Sequence, residues 1–198
     1  MLARRQQGVT LIELMVGIAI LATLLAMGIP AFTGWIQDTQ VRTAAESILN
    51  GLQTARAEAV RRNTVVRFTL TNAEGQVSWT VGCPTVTATC PATIQTRSAG
   101  EGGILAKVAV SADPIPVPAP AGYFGTQLSG AGELPAEVNF DGLGRVFTPA
   151  AGALFNRADV TSTASASARR YVVVVSSGGQ VRMCDPKMSF ATDPRGCS

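Results

Sequence analysis

The chain has 198 residues, enough for one globular domain with a real core plus a membrane segment, and short for two full domains. Its formal net charge is +3, and loss of the first eight residues with Arg4 and Arg5 leaves 14 basic against 13 acidic side chains, or +1, so no strong polyanion-attracting field follows. Histidine is absent, which withholds the commonest general base near neutral pH and the commonest zinc ligand; with no GxSxG elbow, phosphate loop or metal-ligand spacing, the chain reads as a non-enzyme that implies no cofactor and no metal.

Val9 to Ile29, VTLIELMVGIAILATLLAMGI, is an apolar run of 21 positions broken by one charge, Glu13. As a helix it would be ~31 Å long, about the thickness of a bilayer's hydrocarbon core. Arg4 and Arg5 precede it and Asp38 is the first charge after it. The positive-inside rule then places the N-terminus in the cytoplasm and exports everything beyond the span. A secretory signal peptide also begins with positive charge and an apolar run, but its apolar core is about 7 to 15 residues long, without a carboxylate near the start. The run here flows into a further helical pattern instead of ending at a small-residue cleavage site.

Gly8-Val9-Thr10-Leu11-Ile12-Glu13-Leu14-Met15-Val16 resembles the prepilin motif of type IV pilins and type II secretion pseudopilins. The resemblance implies that a prepilin peptidase cuts between Gly8 and Val9 and methylates the new N-terminus, making Glu13 the fifth residue of the mature chain. Valine stands where the family usually has phenylalanine. A carboxylate at membrane depth costs about 2.5–3.5 kcal/mol at a helix centre and less near an end. The resemblance supplies a partner, the positive N-terminal amine of Val9 on a neighbouring subunit, an attraction that strengthens in a low-dielectric setting and sets axial register. The alternative is that Glu13 merely reaches the headgroup region, about a turn from the helix start.

Ala19, Ala22 and Ala26 recur at helical spacing, as a small-residue stripe against which another helix packs or as ordinary lipid-facing alanine. Gly28-Ile29-Pro30 is expected to interrupt the segment with a kink near Pro30, because proline lacks the amide hydrogen and clashes with the preceding turn. Pro30 also matches a proline that type IV pilins carry at this offset. From Trp35 the pattern stays helical but becomes amphipathic: Val41, Ala44, Ala45, Ile48, Leu49, Leu52, Ala55, Ala59 and Val60 form the apolar stripe, and Arg42, Glu46, Asn50, Gln53, Arg56 and Arg61 the polar one. Val9 to Arg62 would make a helix ~80 Å long, its second half lying on a sheet while the first protrudes.

After Asn63 the periodicity shortens. Val65 to Leu70 and Gln76 to Val81 read as a hairpin about a turn at Asn72 to Gly75. Further strands are predicted at Thr93 to Arg97, Ile104 to Val110, Val138 to Phe140, Arg145 to Thr148, Tyr171 to Ser176 and Gln180 to Cys184, together an antiparallel sheet. Asp113 to Pro120, DPIPVPAP, has to be extended loop because alternating prolines cannot donate ladder hydrogen bonds. Thr161 to Ala168 reads as a small, polar, mobile segment. Four cysteines allow three connectivities, of which short loop closure favours Cys83 with Cys90 and Cys184 with Cys197, implying an oxidising compartment such as the bacterial periplasm.

Helix then hairpin, a later Asn139-Phe140-Asp141-Gly142-Leu143-Gly144-Arg145 turn whose glycines suit positive backbone angles, and a terminal hairpin ending in a cysteine-bounded tail resemble the GspH/FimT group of minor pilins and pseudopilins. The first 65 residues carry the match by motif and the rest by layout. The fold class this implies is α+β and pilin-like, a long N-terminal α-helix, transmembrane half plus amphipathic half, packed on an antiparallel β-sheet. The implied organisation is a leader over 1–8, a transmembrane helix over 9–29 and a periplasmic domain over 30–198, with the amphipathic helix to about 62. The implied function is assembly through the N-terminal helix into a type IV pilus or a type II secretion pseudopilus, near the tip. Partners are other major and minor pilins or pseudopilins, the prepilin peptidase and an inner-membrane assembly platform; the location is the bacterial inner membrane, then the filament. Some FimT-like relatives bind DNA through basic residues near the C-terminus, and Arg182, Lys187 and Arg195 are the candidates for such contacts. Phosphate binding needs accumulated positive charge, however, and Asp185 and Asp193 balance Lys187 and Arg195.

Overall fold

The computed structural model describes residues 8–129, 134–148 and 154–197, with Pro30 and Ala31 by backbone only. Of the expected leader, Gly8 alone falls within these residues; Arg4 and Arg5 lie outside them. Among the described residues one helix, α1 (Leu11–Arg62), is followed by nine strands: β1 (Val66–Leu70), β2 (Trp79–Gly82), β3 (Gln95–Arg97), β4 (Ala106–Ser111), β5 (Ala136–Phe140), β6 (Val146–Phe147), β7 (Arg157–Ser162), β8 (Tyr171–Val175) and β9 (Val181–Cys184). The chain divides into two units, Met1–Ile36 and Gln37–Ser198. The helix assignment runs through Gly28 and Pro30, since a proline removes only one ladder hydrogen bond of a helix.

α1 ends by a full Schellman arrangement. Thr64 donates its amide to the Ala59 carbonyl and Asn63 to the Val60 carbonyl, both at 3.2 Å, while Asn63 adopts the left-handed conformation at φ 49°. Arg61 and Arg62 in the last turn complement the helix dipole. The predicted apolar stripe is buried at Val41, Ala44, Ala45, Ile48, Leu52, Ala55 and Ala59. Leu49 is only half-buried and Val60 faces out. Gly51 completes the stripe, since a side chain there would run into the Phe68 ring.

The strands divide between two antiparallel sheets instead of forming one. A five-stranded sheet has the order β3-β2-β1-β5-β6 and a four-stranded sheet the order β4-β7-β8-β9. The predicted first hairpin is present, with Phe68 opposite Val81 on one side and Val138 on the other. Alternation dictates which residues point inward: Val66, Phe68 and Leu70 of β1 are buried and the residues between them less so. A contact between Gln76 and Lys107, with the Val108 amide on the Gly75 carbonyl at 2.8 Å, joins the two sheets. One core gathers the α1 stripe, Phe68, Trp79, Val138 and Phe140 of the first sheet and Val108, Val160 and Val173 of the second.

β7 has no counterpart among the predicted strands. Its sequence, RADVTS, puts two charges on one face, which reads as loop, and Thr161 and Ser162 of the segment expected to be mobile belong to it. Ala158 and Val160 enter the main core; Arg157 and Asp159 point to the other face and are buried there as well. On that other face β8 contributes Val172, which joins Phe124, Cys184 and Cys197 in a second, smaller core with Ile115, Ala119 and Tyr123 packed on it. The proline-rich stretch is loop, as its composition requires, and with residues 121–129 forms a strap over the four-stranded sheet. Asp159, fully buried, accepts from Arg157 Nε at 2.7 Å and Nη2 at 2.8 Å, from the Leu128 amide at 3.1 Å, and from Arg170 Nη1. Arg157 Nη2 reaches the Thr126 carbonyl at 2.7 Å, and Arg170 Nη2 the carbonyls of Phe124 and Gly125. Two guanidiniums thus fasten the strap through one carboxylate, with their remaining donors on backbone oxygens.

Candidate assembly interface

The N-terminal segment begins with a capping box. Thr10 Oγ1 accepts from the Glu13 amide at 3.3 Å, while Glu13 Oε2 accepts from the Thr10 amide at 3.0 Å and from Thr10 Oγ1 at 2.9 Å. Leu14 donates to the Thr10 carbonyl at 3.2 Å, closing the first turn. Helix starts leave amides without partners, and the Thr-x-x-Glu spacing satisfies two of them reciprocally. An intermolecular partner for Glu13 is what the family resemblance implies; the local partner is marked only by the Thr-x-x-Glu spacing of Thr10-Leu11-Ile12-Glu13. The carboxylate is held by one oxygen, Oε2, at the helix start.

Beyond the cap the segment is apolar on every side. Each large apolar side chain described from Val9 to Trp35 is more than half exposed, from Val16 at 51% to Met27 at 80%. Ala19, Ala22 and Ala26 are exposed too. α1 is long and apolar enough in this part to cross a membrane. The one hydroxyl in its middle, Thr23, is satisfied within the helix by the Ile20 carbonyl at 2.8 Å, as a polar group in an apolar medium requires. Phe32 and Trp35 close the stretch as an aromatic pair with ring centroids 5.8 Å apart, the residue types that favour a membrane–water boundary.

The second half of α1 is tied to the head by polar contacts as well as by its core stripe. Asp38 Oδ1 accepts from the Arg169 amide at 2.8 Å, Gln40 Oε1 from the Leu105 amide at 3.1 Å, and Arg56 Nε donates to the Gly144 carbonyl at 3.0 Å. Gly144 belongs to the β5–β6 turn singled out in the sequence and has φ 74°. Asp141 organises that turn, accepting the Leu143 and Arg145 amides at 2.9 Å each, and these bonds with the Arg145 guanidinium hold its carboxyl below the usual range. Gly142 has no positive backbone angle; it is small because Asn63, at the end of α1, lies against it.

The two cysteine pairs, Cys83–Cys90 and Cys184–Cys197, are bonded, and the second closes the tail over the smaller core. The three basic residues considered for DNA do not converge. Arg182 is turned inward, with Nη2 on the Cys197 carbonyl at 2.9 Å and its guanidinium 4.9 Å from the centre of the Phe190 ring. Arg195 is spent on Asp193, at 3.1 and 2.8 Å, and that pairing draws the Asp193 carboxyl down to about 2. Lys187 lines a different depression from either. Phosphate tracking draws on several adjacent cations, and these three side chains do not face one shared surface depression. Among the described residues no cluster of three metal-ligating side chains occurs.

Comparison with known proteins follows the same division of the chain. The family model of the type II transport protein GspH matches residues 44–179, and that of the prokaryotic N-terminal methylation motif matches residues 3–29. No curated protein gives a match. Among solved structures, the type IV minor pilin FimU of Pseudomonas aeruginosa is similar with a TM-score of 0.49 and 12% identity, over 75% of this chain and 90% of that one. The minor pseudopilin EpsH from the type 2 secretion system of Vibrio cholerae is similar with a TM-score of 0.47 and 12% identity, over 75% of this chain and 99% of that one.

Proposed function

The chain belongs to the GspH family of type II transport proteins, and we propose that it is a minor pilin or pseudopilin subunit that joins a filament through the first half of α1. The observation that carries this reading is a helix that is apolar on all sides over residues 11–35, bears one carboxylate at its start, and runs on without a break into the helix packed in the head. A helix with no polar face needs an apolar surrounding, which a bilayer provides before assembly and neighbouring helices provide after it. The methylation-motif match over residues 3–29 supports cleavage between Gly8 and Val9 by a prepilin peptidase, with methylation of Val9. The subunit then sits in the bacterial inner membrane, N-terminus cytoplasmic and head periplasmic, until an assembly platform draws it into the filament beside other major and minor pilins or pseudopilins, near the tip. A kink at Pro30 would let the two halves of α1 adjust separately during that passage.

Glu13 carries the docking step. In the single chain its carboxylate is occupied by Thr10; in the filament the amine of Val9 on the adjacent subunit offers a full opposite charge in a medium of low dielectric constant, where such attraction is strongest. No catalytic step is assigned to the chain. The test is Glu13→Ala in the native host: the variant is expected to fold, to insert and to be processed at Gly8, but to be absent from sheared filaments or to fail to restore filament assembly. Incorporation at the wild-type level would remove the role given to the carboxylate.

A further inference from the structure

The strap, the β7–β8 connection and the tail border an open cavity of about 530 Å³ that the assembly role does not use. That volume lies in the range of small-molecule sites, about 300–1,000 Å³. Its wall is made by Gln127 of the strap, Thr161 at the end of β7, Ser165 in the turn that follows, Arg170 before β8, and Lys187 on the disulfide-bounded tail. Among the described residues, neither a carboxylate nor an aromatic ring lines it. An apolar ligand finds little to pack against, and a cation finds nothing to pair with.

The charge at this wall is unbalanced. Arg157 and Arg170 share a single carboxylate, Asp159, and their other acceptors are neutral backbone oxygens of Phe124, Gly125 and Thr126. Among the described residues one positive charge is therefore in excess in a cluster whose side chains are at most 11% exposed, where water screens it poorly. Lys187 adds a second. The carboxylates nearest it in sequence are engaged, Asp185 with Arg169 and Asp193 with Arg195, and among the described residues its ammonium makes no ion pair; Asp185 takes only its backbone amide, at 2.9 Å. The Thr161 hydroxyl and the Gln127 carboxamide likewise make no hydrogen bond among the described residues.

We propose that this cavity binds an acidic saccharide. A uronate carboxylate would meet the Arg170–Lys187 side, and sugar hydroxyls would pair with Thr161 and Gln127. The space exceeds what a lone inorganic oxyanion fills, and the neutral hydrogen-bonding groups beside the cations suit a hydroxylated ligand. With no ring to stack on, affinity rests on charge, so it falls as salt is added. This assignment is independent of how the first half of α1 is used.

The test is isothermal titration of the full chain in a polyoxyethylene detergent, with trigalacturonate as probe and maltotriose and inorganic phosphate as comparisons. Trigalacturonate is expected to bind one per chain, about tenfold more weakly to Lys187→Gln, more weakly to Thr161→Val, and unchanged to Arg61→Gln, whose side chain pairs with Glu58 elsewhere on α1. Lys187 is exposed, so its replacement leaves the fold intact. No binding of trigalacturonate, equal binding of maltotriose, phosphate binding as tight as that of the saccharide, or an unchanged affinity in Lys187→Gln would each overturn the assignment.

Discussion

Leu24 and Leu52 lie on one helix, yet the first is 63% exposed and the second fully buried. Around Leu24 the sequence offers no polar stripe, so no single face of the helix is marked out for packing on a sheet. Around Leu52, Arg56 and Gln53 take one side while Ile48, Ala55 and Ala59 take the other, and the strands cover the latter. Helical propensity is met in both halves; what differs is where the hydrophobic energy is realised. In the second half it is realised in folding. In the first it remains available for a membrane or for other subunits.

That contrast predicts a hierarchy of effects. The largest lies in the head, at the strap: Asp159→Ala would leave two guanidiniums without their carboxylate and is expected to destabilise the head by about 3–5 kcal/mol, read as a lowered midpoint in chemical denaturation. Next, Leu52→Ala should cost about 2–5 kcal/mol through lost burial and the cavity left behind, whereas Leu24→Ala should leave the same unfolding midpoint unmoved. Equal losses from the two leucines would erase the distinction between the halves. A smaller effect is expected at the helix start, where Thr10→Ala removes the cap and Thr10→Ser keeps it; the alanine variant should lose about 1 kcal/mol of local stability, visible as faster amide exchange at residues 11–14 in micelles.

The elements that sequence patterns reveal are those whose chemistry agrees with their surroundings. The apolar span, the amphipathic continuation through Ile48 and Leu52, and the β1–β2 hairpin are legible because each has one periodicity and one turn signal. β7 was not, because Arg157 and Asp159 satisfy each other and Arg170 inside the protein, and no local pattern announces a charge whose partners come from Arg170 and from the strap. The split into two sheets was hidden for a related reason: pairing β1 with β5 and β4 with β7 joins segments far apart in the chain. In the first half of α1, Glu13 is legible as a lone carboxylate in an apolar run, while its bond to Thr10 is marked only by a four-residue spacing common to many helix starts.

The smallest expected effect is electrostatic. Pairing with Arg195 lowers the Asp193 carboxyl from 3.8 to about 2 in the folded chain. A group whose folded value lies below its unfolded one adds stability above the unfolded value and loses it as pH falls through the folded one. The tail contact should therefore weaken between about pH 4 and about pH 2, and carboxylate titration by NMR should show Asp193 losing its charge near the lower limit. Arg195→Gln should return that midpoint toward 3.8.

On the reading proposed above, the first half of α1 is kept in the mature protein as the part that joins a polymer. Intact mass measurement of the protein extracted from its native membranes tests this most directly. The predicted result is a chain that begins at N-methylated Val9 and retains every residue through Trp35. A mature chain lacking the whole stretch from Val9 to Ile29, recovered as a free head, would contradict it.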